Sequence, residues 1–204
     1  MNDLQAIEGE LGNAFAPDDG QMADLVARLA SAAESQDLVD VAFRRFDSPI
    51  GMLLLAATPR GLVRVGLANE DEGAVLQELA ERVSPRVLEA PRRLDLVAVE
   101  LDRYFAGQLR EFDLALDHRL SAGFRHIVLT RLAEIPYGET ASYAAVAALA
   151  GSPAAARAVG TACATNPIPI VIPCHRVTRA DGTLGGYRGG SEAKRALIHL
   201  EQGV

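Results

Sequence analysis

Apolar and polar positions follow a strand-like pattern early in the chain. Three β-rich runs, separated by short turns rich in Pro, Gly, Asp and Ser, occupy residues 39–46, 52–57 and 62–67. Turn residues between apolar runs predict an antiparallel meander. Helical spacing predicts helices at 74–82 and 94–105, and the alternation over 112–116 predicts a fourth short strand. The segment is therefore expected to be a small antiparallel sheet with helices.

The pattern becomes helical from about residue 121. Ser121 is predicted to cap a helix that buries its apolar residues, which are Phe124, Ile127, Val128 and Leu132. Thr140 or Ser142 can cap a second helix that runs to Leu149. A last helix is expected from about residue 190, with Ala196, Leu197 and Leu200 inward.

A third helix of this half is predicted to start at Ser152-Pro153 and to run to about residue 164. With the helix before it, it has the spacing of a helix-turn-helix, which ordinary helical hairpins share. It is rich in alanine, contains Gly160 and carries one long side chain, Arg157. Such a thin helix can lie in a DNA groove with Arg157 as a wedge, whereas the alternative is packing against a neighbour with Arg157 in a salt bridge.

These patterns divide the chain into three parts. Residues 1–38 are expected to be a tail with a short amphipathic helix at 21–34, in which Leu25 and Leu29 serve packing. Residues 39–118 are predicted to form an α/β supporting domain, and residues 119–204 a mainly helical domain with the helix-turn-helix. The sequence has no run of 18 apolar residues and no secretory signal, so no membrane association and a cytoplasmic location are expected.

Charge is distributed unevenly between the halves of the chain. The net charge of −7 argues against a polyanionic partner. Residues 1–120, however, contain 22 acidic and 12 basic side chains, whereas residues 121–204 contain 5 and 8. The C-terminal half is therefore the anion-facing candidate, although compositional bias is an alternative explanation. Nearly all of its positive charge is arginine, which suits planar recognition.

The candidate chemistry lies at residues 166–177, where an apolar run with three prolines ends at Cys174 and His175. Prolines exclude a helix, so a stiff, buried, extended segment is expected to deliver the thiol. Adjacent residues of an extended chain point to opposite sides, so His175 is expected to act on Cys174 through a water or from a turn. Glu201 is the candidate to orient the imidazole, although an isolated glutamate is more often solvated.

The two cysteines are expected to be free thiols, and Cys163 to pack as a small apolar side chain. Cys163, Cys174 and His175 supply at most three ligands, at a spacing unlike that of zinc motifs. No metal and no cofactor are therefore expected.

The chain resembles the O6-alkylguanine-DNA alkyltransferases (methylated-DNA–protein-cysteine methyltransferases) over about residues 39–203. The motifs occur in order: Ile135-Pro-Tyr-Gly-Glu-Thr140, Ser142-Tyr143, Ala155-Ala-Arg157-Ala-Val-Gly160, Asn166-Pro167, Pro173-Cys-His-Arg-Val177, Gly185-Gly-Tyr187-Arg-Gly-Gly190 and Glu201. The zinc ligands found near the start of some members are missing, and Ala164-Thr165 replaces a stretch that often carries a basic or Gly/Asn residue.

The resemblance implies direct-reversal DNA repair by a single-turnover enzyme. Cys174 would irreversibly take the alkyl group from O6-alkylguanine in the minor groove of double-stranded DNA, with O4-alkylthymine left open as a substrate and the protein acting as a monomer. His175 and Glu201 would activate the thiol and Asn166 would brace its turn. The implied substrate and DNA contacts are Tyr143, Arg157, Ala158, Gly160, Val177, Tyr187 and Arg188. Two alternatives are a non-catalytic lesion-recognition or regulatory DNA-binding protein and a cytosolic thiol hydrolase.

Overall fold

The computed structural model describes residues 18–36 and 38–203. Most of the predicted N-terminal tail, residues 1–17, lies outside these ranges. Helix α1, Asp19–Ser35, covers the predicted helix at 21–34. Leu25 and Leu29 are 57% and 58% exposed, and the packing role predicted for them stays a prediction. The helix belongs to a separate unit, residues 1–38, and the rest of the chain forms one compact unit.

A four-stranded sheet begins the larger unit, in the order β3-β2-β1-β4. Its strands are β1 (Val41–Phe46), β2 (Leu53–Thr58), β3 (Gly61–Gly66) and β4 (Val87–Glu89). The first three form the predicted antiparallel meander, but β4 pairs parallel to β1, so the sheet is mixed. The strand predicted at 112–116 is wrong, because that segment contributes only an isolated bridge between Leu62 and Leu116.

Both faces of this sheet are covered, which explains why all six residues of β2 are buried. Alternate residues of β2 enter different cores: Leu53 and Leu55 pack with the C-terminal helices, and Leu54 and Ala56 pack with helix α2. Helix α2 is Glu72–Arg82 and helix α3 is Asp95–Phe105. The first core continues into the helical part without a break, so the sheet supports the C-terminal elements directly.

The C-terminal part is helical, as predicted. It contains helices α4 (Gly123–Leu132), α5 (Tyr143–Leu149), α6 (Ala156–Ala164) and α7 (Gly190–Gln202), with the short parallel strands β5 (Ala141–Ser142) and β6 (Val177–Thr178). An α/β part followed by a helical part confirms the predicted fold class. No helix within residues 18–36 and 38–203 is long and apolar enough to cross a membrane.

Several local predictions for these helices need correction. Ser121 does not cap α4: its hydroxyl donates to the His118 carbonyl oxygen, and Ala122 is the cap residue. Ile127, predicted to point inward, is 46% exposed. Helix α6 starts at Ala156, because Ser152 closes a turn through its carbonyl to Ala155 N (2.8 Å). Competing local hydrogen bonds explain the positions at which α4 and α6 begin, and the packing of neighbours explains the exposure of Ile127.

Helix α5 has a serine cap at its start, and helix α7 has a glycine cap at its end. The Ser142 hydroxyl accepts a hydrogen bond from Ala145 N (3.1 Å), as one of the two predicted caps. Helix α7 ends at Gly203, whose φ of 71° is left-handed. Ala196 of α7 is exposed, so its predicted inward position is wrong, whereas Leu197 is buried.

Candidate active site

Cys174 lies at the start of a short 3-10 turn, Cys174–Arg176, and is 2% exposed. The side chain of Asn166 holds the chain around it. Its Nδ2 donates to the Ile172 carbonyl oxygen (2.9 Å) and to Cys174 Sγ (3.2 Å), and its Oδ1 accepts from Ile168 N (3.0 Å). One buried amide therefore fixes both ends of the proline-rich loop and contacts the thiol itself.

The expected extended segment is wrong in its conformation, although its burial is as predicted. The loop folds back on itself at Ile170, whose φ is 75°, and Ile172 N donates to the Ile168 carbonyl oxygen (2.9 Å). Prolines exclude a helix but are compatible with tight turns, and the tertiary contacts of Asn166 select the turn. The backbone bond from Val65 N to the Pro167 carbonyl oxygen (2.8 Å) anchors the loop to β3.

Burial dominates the protonation of the two thiols. It raises the pKa of Cys174 to about 11, against the hydrogen bond from Asn166 and the nearby charge of Lys194, which lower it. Burial likewise raises the pKa of Cys163 to about 12. Both cysteines are free thiols. At neutral pH the resting Cys174 is therefore protonated, and any reaction as a nucleophile requires loss of that proton.

Glu201 is the centre of a buried polar cluster next to the thiol. Its carboxylate accepts bonds from His175 Nε2 (2.8 Å), Arg176 Nε (2.8 Å), the Tyr104 hydroxyl (2.6 Å) and Gly138 N (3.2 Å). Burial by itself raises the pKa of Glu201, but the hydrogen bonds from His175 and Arg176 outweigh it and hold the pKa at about 2. The carboxylate is therefore ionised and pairs with two neighbouring side chains.

His175 is fully buried, and burial lowers its pKa below the ordinary value. A neutral imidazole beside an ionised carboxylate donates from Nε2, which leaves Nδ1 with its lone pair. Nδ1 is buried and has no hydrogen-bond partner within the described ranges, and no hydrogen bond joins His175 to Cys174 there. The histidine is thus set up as a proton acceptor whose free nitrogen does not touch the thiol.

Four further predicted site residues surround this centre. The ring of Tyr187 meets that of His175 edge to face, with centroids 6.4 Å apart. The carbonyl oxygen of the buried Val177 accepts from Lys194 Nζ. Tyr143 begins helix α5 and is half-buried, and a Cβ atom at Gly160 would come 3.9 Å from its ring. The structure therefore brings Tyr187 against His175, Val177 against Lys194 and Gly160 close to Tyr143.

Arg157, Ala158 and Arg188 lie outside this cluster. Arg157 and Ala158 are exposed on α6. Arg188 points toward the sheet side, where its guanidinium pairs with Glu70 (2.5 Å) and its carbonyl oxygen accepts from Asn69 Nδ2 (2.8 Å). We call residues 185–190, which carry Tyr187 and Arg188, the pocket loop.

Three residues of the cluster were not identified from the sequence: Tyr104, Arg176 and Lys194. Tyr104 comes from helix α3, 97 residues before its partner Glu201, and no local pattern marks it. Lys194 is fully buried and carries a signal, because it is the only lysine of the chain and lies seven residues before Glu201 on α7. That spacing puts both on one face of the helix.

Gly185 lets the pocket loop approach Tyr143 closely. A Cβ atom at Gly185 would lie 2.2 Å from the Tyr143 hydroxyl oxygen and 2.7 Å from its ring. We expect Gly185→Ala to lower the free energy of unfolding by about 1–3 kcal/mol, because the loop or the ring must shift. Urea unfolding measures this loss. Gly186→Ala is the matched control, since no atom lies within 4 Å of a Cβ there, and equal losses in both variants would contradict the clash.

Comparison with known proteins gives the same assignment for both halves of the larger unit. Residues 41–118 match the ribonuclease-like domain of 6-O-methylguanine DNA methyltransferase, and residues 123–203 match the DNA binding domain. The methylated-DNA–protein-cysteine methyltransferase of Mycolicibacterium paratuberculosis is 43% identical, over 79% of this chain and 93% of that protein. The inducible enzyme of Bacillus subtilis is 39% identical, over 72% and 83%.

Solved structures agree with the sequence comparison. The crystal structure of Mycobacterium tuberculosis O6-methylguanine methyltransferase is 41% identical, with a TM-score of 0.69 over 80% of this chain and 93% of that one. A structure of the same organism's protein in complex with DNA superposes with a TM-score of 0.70, over 79% and 93%. The chain belongs to the 6-O-methylguanine DNA methyltransferase (methylated-DNA–protein-cysteine methyltransferase) family.

Proposed function

We propose that the protein repairs DNA by transferring the alkyl group of O6-alkylguanine to its own Cys174. The observation that carries this proposal is the thiol held by Asn166 beside the Glu201–His175 pair, in a family whose members are named for transfer to a cysteine. A soft sulfur is the best side-chain nucleophile for a saturated carbon. The product is a thioether, so each molecule reacts once.

The proposed reaction uses the cluster for proton transfer. The sulfur–carbon bond forms as the bond between the alkyl carbon and guanine O6 breaks, and its electron pair stays on the guanine. The proton of Cys174 goes to Nδ1 of His175 through a bridging water, because no direct hydrogen bond joins them among the described residues. Glu201 stabilises the imidazolium that forms. The hydroxyl of Tyr143 donates a hydrogen bond or its proton to the leaving oxygen, and in the second case the proton taken up by His175 returns to Tyr143 through water, so that the guanine leaves neutral.

We infer the mode of DNA binding from exposure and charge. Residues 119–204 would act as the DNA-binding domain and residues 39–118 as its support. Helices α5 and α6 would form the helix-turn-helix, with α6 against the minor groove and the exposed Arg157 inserted in the base stack. Ala158 and Gly160 keep that face thin. Val177 and Arg188 would line the guanine pocket through main-chain groups, and Tyr187 would shape its loop.

The protein is expected to act as a monomer in the cytoplasm, where free thiols such as Cys163 and Cys174 are maintained. Of the alternatives, a non-catalytic lesion-binding protein is disfavoured because Cys174 is retained beside its activating pair. A thiol hydrolase would leave the exposed arginine of α6 without a purpose. It would also turn over many ester or amide molecules, which separates it from a reagent that reacts once.

The mass of the intact protein tests this function. After exposure to a duplex that contains O6-methylguanine, we expect the mass to rise by one methyl group, and peptide mapping to place that group on the peptide with Cys174. Both thiols lie on one tryptic peptide, residues 158–176, because no Lys or Arg lies between them. Fragmentation of that peptide should therefore place the methyl group on Cys174 and leave Cys163, the other buried thiol, as an unmodified internal control. Protein that binds the duplex but stays unmodified would rule out alkyl transfer and favour the lesion-binding alternative.

A further inference from the structure

A cavity of about 190 Å³ lies where β3, helices α2 and α4, Thr165 and Pro167 of the proline-rich loop, and the pocket loop meet, and Cys174 is not among its lining residues. Four arginines line it: Arg64, Arg82, Arg125 and Arg188. They come from four different segments of the chain, so no local sequence pattern marks them as a group. The side chain of Arg64 is 1% exposed, which makes part of this charge fully buried.

These guanidinium groups share too few carboxylates. Arg64 pairs with Glu70 (2.5 Å) and Glu78 (3.4 Å). Each carboxylate is also shared: Arg188 pairs with Glu70 (2.5 Å) and Arg82 with Glu78 (2.6 Å). Arg125 has no carboxylate partner in the described part of the chain. Four positive charges therefore share two negative ones. The side chains of Arg82 and Arg188 are 45% and 30% exposed, so solvent screens part of this imbalance, and a bound anion would compensate the rest.

Arg125 shows the imbalance most directly. Its Nη2 donates to the carbonyl oxygen of Leu120, which also accepts from Arg82 Nη2 (3.4 Å). Two like charges thus converge on one neutral acceptor. The Nε of Arg125 is buried and has no hydrogen-bond partner in residues 18–36 and 38–203. A buried donor without an acceptor is costly, and an oxygen atom in the cavity would satisfy it.

We propose that this cavity binds a tetrahedral oxyanion, and specifically a phosphate group. Guanidinium forks match phosphate oxygens in geometry and charge, and Arg125 and Arg188 bring donors to the cavity from two different segments of the chain. The phosphate comes either from solution or from the backbone of bound DNA, since both present the same oxygens. Cys174 does not line this cavity, and phosphate binding there does not depend on alkyl transfer.

Thermal unfolding of the full chain in inorganic phosphate, against chloride at equal ionic strength, tests the proposal. We expect phosphate to raise Tm saturably, by roughly 2–4 °C, because it binds the folded state only. Titration calorimetry should give one phosphate per chain. Arg125→Gln is expected to abolish the rise. Arg131→Gln is the matched control and should keep it, since Arg131 is exposed on the same helix and paired with Glu134 (2.5 Å).

The variant Glu78→Gln tests the phosphate site independently, in case Arg125→Gln does not fold. Glu78→Gln removes one of the two counter-charges and is expected to tighten phosphate binding several-fold. Three results would each contradict the proposed site. The first is an equal Tm in phosphate and chloride. The second is an equal loss of the Tm rise in Arg125→Gln and Arg131→Gln, and the third is unchanged phosphate affinity in Glu78→Gln. Duplex affinity against salt separates the two sources: a slope lowered by about one in Arg125→Gln assigns a DNA phosphate, and an unchanged slope assigns free phosphate.

Discussion

Replacing Glu201 with glutamine is expected to slow alkyl transfer by a factor of roughly 100 or more. General acid–base relays contribute about 10²–10⁴ to a rate, and the glutamine amide cannot stabilise a charged His175 as a carboxylate does. Single-turnover kinetics with an O6-methylguanine duplex measure the loss. Tyr104→Phe is the matched control, because it removes one of the hydrogen bonds of Glu201 (2.6 Å) and leaves the carboxylate charge in place. A rate near that of the wild type in Glu201→Gln would show that the carboxylate has no part in thiol activation.

The same substitution is expected to destabilise the fold by about 3 kcal/mol, since it leaves the buried Arg176 without its counter-charge. The pKa of Glu201 is held at about 2, below its ordinary value of 4.5. A lowered pKa gives stability that is complete above pH 4.5 and is lost as the pH falls toward 2. Urea unfolding should therefore separate wild type from variant widely at pH 7 and little near pH 2. A difference that does not depend on pH would assign the effect to packing.

Arg157→Ala is expected to slow transfer from duplex DNA by roughly 30–100-fold while leaving the reaction with free O6-benzylguanine nearly unchanged. Opening the base stack costs a few kcal/mol, and an inserted side chain offsets that cost only when a duplex is present. Each 1.36 kcal/mol corresponds to a factor of about ten in rate. Single-turnover rates with the two substrates measure the ratio.

Arg60→Ala is a suitable control for this variant, because Arg60 is also an exposed arginine but lies in the turn between β2 and β3. Its ratio of duplex to free-base rates should match that of the wild type. Equal losses on both substrates in Arg157→Ala would assign Arg157 a structural role and would leave base extrusion to other groups.

Local sequence was sufficient for most of the secondary structure. The alternating runs predicted β1, β2 and β3, and the helical spacing predicted the helices that follow, because these elements are stabilised by side-chain periodicity. Strand β4 was missed, since three residues carry too little pattern, and the strand predicted at 112–116 did not form enough backbone pairs. The residues themselves predict roles for Cys174, His175 and Glu201, and the family resemblance predicts one for Asn166; these roles stay predictions.

The conformation of the thiol loop could not be read from its prolines. They excluded a helix, but the choice between an extended run and a turn depended on Asn166, whose amide bridges residues 168, 172 and 174. The protonation state of Cys174 could not be predicted from the sequence either, because its raised pKa follows from burial by elements distant in sequence.

By itself the sequence predicted which side chains would carry chemistry at Cys174, because a candidate nucleophile, base and orienting carboxylate are recognised by residue type and order. Only the tertiary structure decided how they are connected. It placed Tyr104, Arg176 and Lys194 beside them and gathered four arginines around a second cavity. The physical reason is that charge, burial and hydrogen-bond satisfaction depend on the neighbours in space, which in this protein come from segments as far apart as 97 residues.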